Sequence, residues 1–188
     1  TAVSDTIKKH SPEAVEKLRK MELKVVMLTG DSKKVAEAIA KQLGIDEVLA
    51  EVLPDEKVKA IEKLQRRGRF VAMVGDGIND APALTQANVG IALGGGTDIA
   101  IEAGDIVLVK DDPRDVATSI KLSQKTLRKI KQNLFWAFFY NMLTIPLAAG
   151  ILYPAFQVLV RPEIAAATMI LSDITVVGNS MLLKRWKP

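Results

Sequence analysis

The distribution of charge along the last third of the chain constrains its fold more than any other feature. No Asp, Glu, Lys or Arg occurs from Gln132 to Val160, and from Ile164 to Leu183 the single charge is Asp173. A helix rising about 1.5 Å per residue crosses a hydrocarbon core in about 20 apolar residues, and each stretch reaches that length. Two membrane helices are therefore expected. Lys121, Lys125, Arg128, Lys129 and Lys131 precede the first stretch, Lys184, Arg185 and Lys187 follow the second, and Arg161 and Glu163 lie between them. Basic residues at span ends favour the cytoplasmic side, which predicts a hairpin with both outer ends in the cytoplasm of a multi-pass membrane protein. The same residues account for the net charge of +4. No nucleic-acid partner is expected, because stacking aromatics are not interleaved with them on a soluble face. The chain has no cysteine, which excludes a disulfide framework and fits a cytosolic soluble part.

Upstream, residues 1 to about 115 alternate strand and helix signals, the pattern of an α/β fold with a Rossmann-like parallel sheet. Lys24 to Leu28 is a β-rich run, and Ser32 to Leu43 has helical spacing with Val35, Ile39 and Leu43 on one face and Gly44 as its cap. Glu47 to Val52 reads as a strand, and Pro54 opens a helix carrying Val58, Ile61 and Leu64. Phe70 to Val74 reads as a buried strand. Val89 to Leu93 and Ile106 to Val109 are further strands, with a short helix near Asp98 to Ala103 and Gly94-Gly95-Gly96 as a turn. Asp112-Pro113 starts a long amphipathic helix that no breaker interrupts before the first span, so it is suited to carry motion into the bilayer.

Three loops of this soluble part carry phosphate-type chemistry. Gly75-Asp76-Gly77-Ile78-Asn79-Asp80-Ala81-Pro82-Ala83-Leu84 follows an apolar run. Its glycines let the chain turn sharply at a strand's carboxyl end, where open α/β sheets place their ligands. Asp76 and Asp80 offer hard oxygen ligands of the kind Mg²⁺ takes in small number. Thr29-Gly30-Asp31 ends another strand and offers a hydroxyl and backbone N–H groups to phosphoryl oxygens, though such a tripeptide also serves as a simple turn and cap. Lys57, on the helix behind Pro54, can neutralise a phosphoryl group as a point charge or stand as a solvated one.

These motifs, with Lys129-Ile130-Lys131-Gln132-Asn133 leading into Tyr140-Asn141, resemble the carboxyl-terminal part of a heavy-metal P-type ATPase, and within that group the copper exporters. The resemblance covers nearly the whole chain. It implies a partial phosphorylation domain of the haloacid dehalogenase superfamily at residues 1–118, a basic helical connection at 119–132, and a two-helix transmembrane hairpin at 133–188. It also implies that Thr29 binds the phosphoryl group, Lys57 stabilises it, and Asp76 with Asp80 binds Mg²⁺, with Gly30, Asp31 and Asn79 as supporting members of the same motifs. ATP, transported Cu(I) and an aspartyl-phosphate intermediate come with it. The family's Asp-Lys-Thr-Gly-Thr nucleophile motif is absent, and Ser4-Asp5-Thr6 lacks its context. The chain is therefore expected to work with the remainder of one longer polypeptide, its nucleotide-binding and actuator domains and further membrane helices. Membrane lipid surrounds it, and the resemblance leaves room for a metallochaperone.

For the cargo, Tyr140 and Asn141 lie near the middle of the first span and Met169, Ser172 and Asp173 near the middle of the second. Spacings of i, i+3 and i+4 put the last three on one helix face. A charge at that depth costs on the order of 2.5–3.5 kcal/mol and so belongs at a polar interior or transport path, and a thioether suits soft Cu(I). Copper pumps carry a Tyr-Asn pair and a Met-x-x-Ser-Ser motif; Tyr140, Asn141, Met169 and Ser172 match, while Asp173 stands where the second Ser is expected. That carboxylate keeps a divalent cargo such as Zn²⁺ or Cu²⁺ open as an alternative. A membrane-anchored phosphatase of the same superfamily is the rival reading from another class.

Overall fold

The structure is a computed structural model that describes residues 7–76, 78–95, 97–159 and 161–186. Gly77, Gly96 and Ser4-Asp5-Thr6, each named above, lie outside the described residues. The chain divides into two compact units, Thr1–Ser119 and Ile120–Pro188.

The first unit alternates helix and strand: α1 (Ser11–Lys20), β1 (Val26–Leu28), α2 (Lys33–Leu43), β2 (Glu47–Leu49), α3 (Pro54–Arg66), β3 (Ala72–Gly75), α4 (Ala81–Gln86), β4 (Val89–Leu93), α5 (Asp98–Ala103) and β5 (Ile106–Leu108). Among the described residues every strand pair is parallel, as helical crossovers require. β1 pairs with β2, and β3, β4 and β5 form a second sheet in that order. β4 has a neighbour on both edges, and its Ile91 and Ala92, which point to opposite faces of the sheet, are both buried, as are Ala83 and Leu84 of α4 and Ala100 of α5.

Two expectations about burial change. On α2 the buried positions are Ala36 and Ala40, while Val35 is 45% exposed. Small side chains let this helix sit close, and the larger β-branched one turns outward. The run read as a buried strand, Phe70 to Val74, becomes β3 at Ala72–Gly75, with Val74 38% and Phe70 77% exposed. Among the described residues β3 is paired on one edge alone, to β4, and β1 on one edge alone, to β2.

Helix α6 (Arg114–Ala148) begins as Asp112-Pro113 predicts. The Asp112 carboxylate accepts the Arg114 N–H at 3.0 Å and its guanidinium Nη2 at 2.7 Å, satisfying a donor of the first turn. Hydrogen bonding from Arg114 holds the Asp112 carboxyl down at about 2, against an ordinary 3.8. A depressed carboxyl stabilises the fold fully above its unfolded value and loses that contribution as pH falls through the folded one. Asp112→Ala is therefore expected to cost about 1 kcal/mol near neutral pH, as loss of a helix-start acceptor does. The gap in thermal midpoint between variant and parent should close as pH falls from about 4 to about 2; a gap independent of pH would remove Asp112 from this role.

In the second unit α6 is followed by α7 (Tyr153–Phe156) and α8 (Pro162–Met181). The charge-free stretch from Gln132 to Val160 is thus not one helix. α6 contains Pro146 and ends at Ala148, and Gly150 takes φ 82°. Among the described residues one helix is long and apolar enough to cross a membrane, Ala166–Arg185, with mean hydropathy 1.4. The carboxyl half of α6 falls short of that mark because Gln132, Asn133, Tyr140 and Asn141 dilute its apolar residues before the helix stops.

Candidate functional site

The carboxyl ends of β3, β4 and β5 bring three loops together. After β3, residues Ile78–Asp80 form one 3₁₀ turn that runs directly into α4. Gly75 is required here by close approach: a Cβ built on it would lie 2.8 Å from the Cβ of Asp80. Any side chain at 75 would push Asp80 away.

Asp80 is thereby aimed at α3, where Lys57 Nζ donates to its Oδ1 at 2.6 Å, with both side chains only 15% exposed. Pro54 sets the start of that helix and the Glu56 carboxylate accepts the Leu53 N–H at 3.0 Å, which fixes the first turn on which Lys57 stands. Asp76 is more open, its side chain 48% exposed, and its carbonyl accepts the Thr97 N–H at 2.9 Å. The Gly94–Gly96 run, read from sequence as a turn, thus leads into the residue that braces Asp76. Asn79 is exposed beside them.

Two residues that the motifs do not contain join this centre. Lys8, ahead of α1, donates to Asp76 Oδ2 at 2.8 Å and to Asp111 Oδ1 at 2.5 Å. Partial burial pulls the Lys8 ammonium down, but its hydrogen bonds to Asp111 and Asp76 outweigh that and hold it above the ordinary lysine value. No motif signals Lys8 or Asp111, since the Lys8–Asp76 pair spans 68 positions and the Lys8–Asp111 pair 103.

Thr29, Gly30 and Asp31 form a loop of their own. Thr29 Oγ1 donates to Asp31 Oδ2 at 2.8 Å and accepts the Asp31 N–H at 3.1 Å. Backbone bonds from Thr29 N to Leu49 O and from Val52 N to Thr29 O lock the loop onto the end of β2 and the residues just after it. Among the described residues no hydrogen bond joins it to Asp76, Asp80 or Lys57. The chemistry of the donor set suits Mg²⁺ all the same: one exposed carboxylate, Asp76, is already gripped by an ammonium, and a second, Asp80, is fixed in place by packing and by Lys57. Hard oxygen ligands in small number, with room for water and phosphate oxygens, are what this ion takes.

In the second unit α6 and α8 meet along polar side chains. Asn179 Nδ2 donates to Asn133 Oδ1 at 2.7 Å, Lys129 Nζ donates to Asn179 Oδ1 at 2.6 Å, and Asn133 Nδ2 donates to Ser180 Oγ at 2.7 Å. Further along the seam, Tyr140 Oη lies 3.5 Å from Thr175 Oγ1. Tyr140 and Ser172 are half-buried here, whereas Asn141 and Asp173 are exposed and Met169 is 70% exposed. Met169, Ser172 and Asp173 thus share a broad face but not the same surroundings, the last two being one residue, or about 100°, apart.

Residues 1–88 match the haloacid dehalogenase-like hydrolase family. The whole chain is 55% identical to a probable copper-exporting P-type ATPase of Archaeoglobus fulgidus and 57% identical to copper-transporting ATPase 2 of Rhizobium meliloti, covering 100% of this chain and 23% of each relative. The chain thus spans about a quarter of the length of the curated relatives it matches. Among solved structures, a zinc-transporting PIB-type ATPase matches with a TM-score of 0.84 and 35% identity, over 96% of this chain and 28% of that one. The catalytic domain of a CPx-ATPase matches with a TM-score of 0.58 and 39% identity, over 63% of this chain and 47% of that domain. Similar along its full length to these pumps in sequence, and to solved members in fold, the chain belongs to the heavy-metal P-type ATPases.

Proposed function

We propose that this chain is the second part of the phosphorylation domain and the last membrane helices of an ATP-driven copper(I) export pump. The observation that carries the reading is identity of 55–57% along the whole chain to relatives named for copper export or transport. Residues 1–118 are assigned to the phosphorylation domain, 119–132 to a basic helical connection, and 133–188 to the membrane hairpin, with the soluble part in the cytoplasm. The open edges of β1 and β3, and the exposed Phe70 and Val74 beside them, suit a further strand from the rest of the polypeptide that carries the acceptor aspartate.

Asp76 and Asp80 are the residues that would hold Mg²⁺, which supplies charge neutralisation for phosphoryl transfer. Thr29 contributes a hydroxyl that can turn from Asp31 to a phosphoryl oxygen, beside the Gly30 backbone and with Asp31 keeping the loop in shape. Lys57, held beside Asp80 at 2.6 Å, would stabilise the phosphoryl group as a point charge, and Asn79 orients the turn between the two carboxylates. Tyr140, Asn141, Met169 and Ser172 supply the path for Cu(I) as cargo, with Asp173 beside it. A divalent cargo is the second reading, favoured by Asp173 and by the likeness to a zinc-transporting structure at 35% identity; the higher identity to copper relatives weighs against it. ATP hydrolysis by a polypeptide of the relatives' length that carries this chain tests the choice. Cu(I) and Ag(I) are expected to raise turnover several-fold over metal-free protein. Stimulation by Zn²⁺ or Cu²⁺ alone would overturn the copper(I) assignment, and hydrolysis indifferent to all four would favour a phosphatase.

A further inference from the structure

Among the described residues, the ammonium of Lys8 is paired with Asp76. Lys8 lies in the segment before α1, where its carbonyl accepts the Ser11 N–H at 3.0 Å and so ties its position to the helix start. Its ammonium spans Asp76 at 2.8 Å and Asp111 at 2.5 Å. Asp111 follows β5 and packs against the loop after β4, where a Cβ built on Gly95 would come within 3.1 Å of its carboxyl carbon. Two carboxylates from different loops thus converge on one ammonium. Lys8 is 36% exposed, Asp76 48% and Asp111 47%, so water reaches all three and the pair can exchange. Asp80, by contrast, is held by Lys57 with both largely buried.

We propose that Lys8 is a tethered counter-ion that competes with Mg²⁺ for Asp76, and that Asp111 is the acceptor onto which Lys8 withdraws when the metal enters. The inference rests on the reading of Asp76 as a Mg²⁺ ligand. An empty site then never carries an uncompensated carboxylate, and metal entry is an exchange of one cation for another. Asp111 acts through Lys8 as a positioning residue: without it the ammonium has Asp76 as its sole partner and gives way less readily. The effect is modest, because partly exposed ion pairs are weak.

Binding of Mn²⁺, used in place of Mg²⁺ and read as loss of the free-ion electron paramagnetic resonance signal, tests this on the full chain in detergent. Lys8→Met is expected to bind Mn²⁺ about threefold more tightly than the parent, and Lys8→Arg, which keeps the charge, to bind like the parent. Lys9→Met removes the same charge from the exposed neighbouring position and should change affinity by clearly less than Lys8→Met. Asp111→Asn should weaken binding about threefold when Lys8 is present and leave it unchanged in the Lys8→Met background. Equal effects of Lys8→Met and Lys9→Met would overturn the competition, and equal weakening by Asp111→Asn in both backgrounds would make Asp111 a ligand in its own right. Asp76→Asn separates the two layers. If it binds Mn²⁺ like the parent, the Mg²⁺ reading itself fails; if it loses binding while Lys8→Met changes nothing, only the Lys8 inference does.

Discussion

Asp80→Ala is expected to destabilise the first unit by about 3 kcal/mol, more than any other single change at the site. The carboxylate it removes is the partner of Lys57 at 2.6 Å, and both side chains are only 15% exposed. Breaking a buried pair from one side strands an uncompensated charge, which costs about 3–5 kcal/mol, whereas removing both partners is far milder. The remaining exposure argues for the lower end of that range. With a domain of this size carrying roughly 5–15 kcal/mol of stability, the thermal midpoint should fall by more than about 10 °C. The double variant Lys57→Met with Asp80→Ala should recover most of the loss, because no ammonium is then left without a counter-ion. A single variant that melts like the parent would show that Lys57 reaches water on its own and that the pair is not structural.

Much of this arrangement is legible in the sequence, and the rest is hidden for physical reasons. The alternation of helix and strand is visible because apolar periodicity switches along the chain, and every strand named from it exists, β4 with the same limits. Gly75 and Asp80 are legible as members of a motif, but the reason for Gly75 is not its backbone freedom: it is the 2.8 Å approach to Asp80, which appears only in three dimensions. Lys57 offers no local signal that it will be paired and buried rather than solvated, since its partner lies 23 positions away.

Where tertiary context decides, sequence reasoning overreaches. An apolar run such as Phe70 to Val74 reports that burial is available, not that a neighbour is present, and β3 here has one paired edge. A charge-free stretch likewise bounds a membrane segment without saying where its helix stops; α6 stops at Ala148 while the stretch continues to Val160. Lys8 and Asp111 carry no motif at all. Asp111 follows β5, so parallel topology brings it to the same end of the sheet as Asp76, and Lys8 reaches both from the segment before α1.

The other large effect belongs to Asp76. Replacing its carboxylate by an isosteric amide keeps size and one acceptor oxygen but removes the charge that a hard dication seeks. Unit charges about 4 Å apart interact by about 4 kcal/mol at an effective dielectric of about 20; discounted for the partial exposure of Asp76, a loss of about 3 kcal/mol remains, or about 100-fold in metal affinity. Phosphoryl transfer depends on neutralising the transferred group, so the loss passes to the chemical step. Acid-stable phosphoenzyme formed from ATP, measured against Mg²⁺ concentration in a polypeptide of the relatives' length, reads this directly. For Asp76→Asn the Mg²⁺ requirement should shift upward by about 100-fold, with little phosphoenzyme at millimolar Mg²⁺; a titration superimposed on that of the parent would remove Asp76 from the metal site.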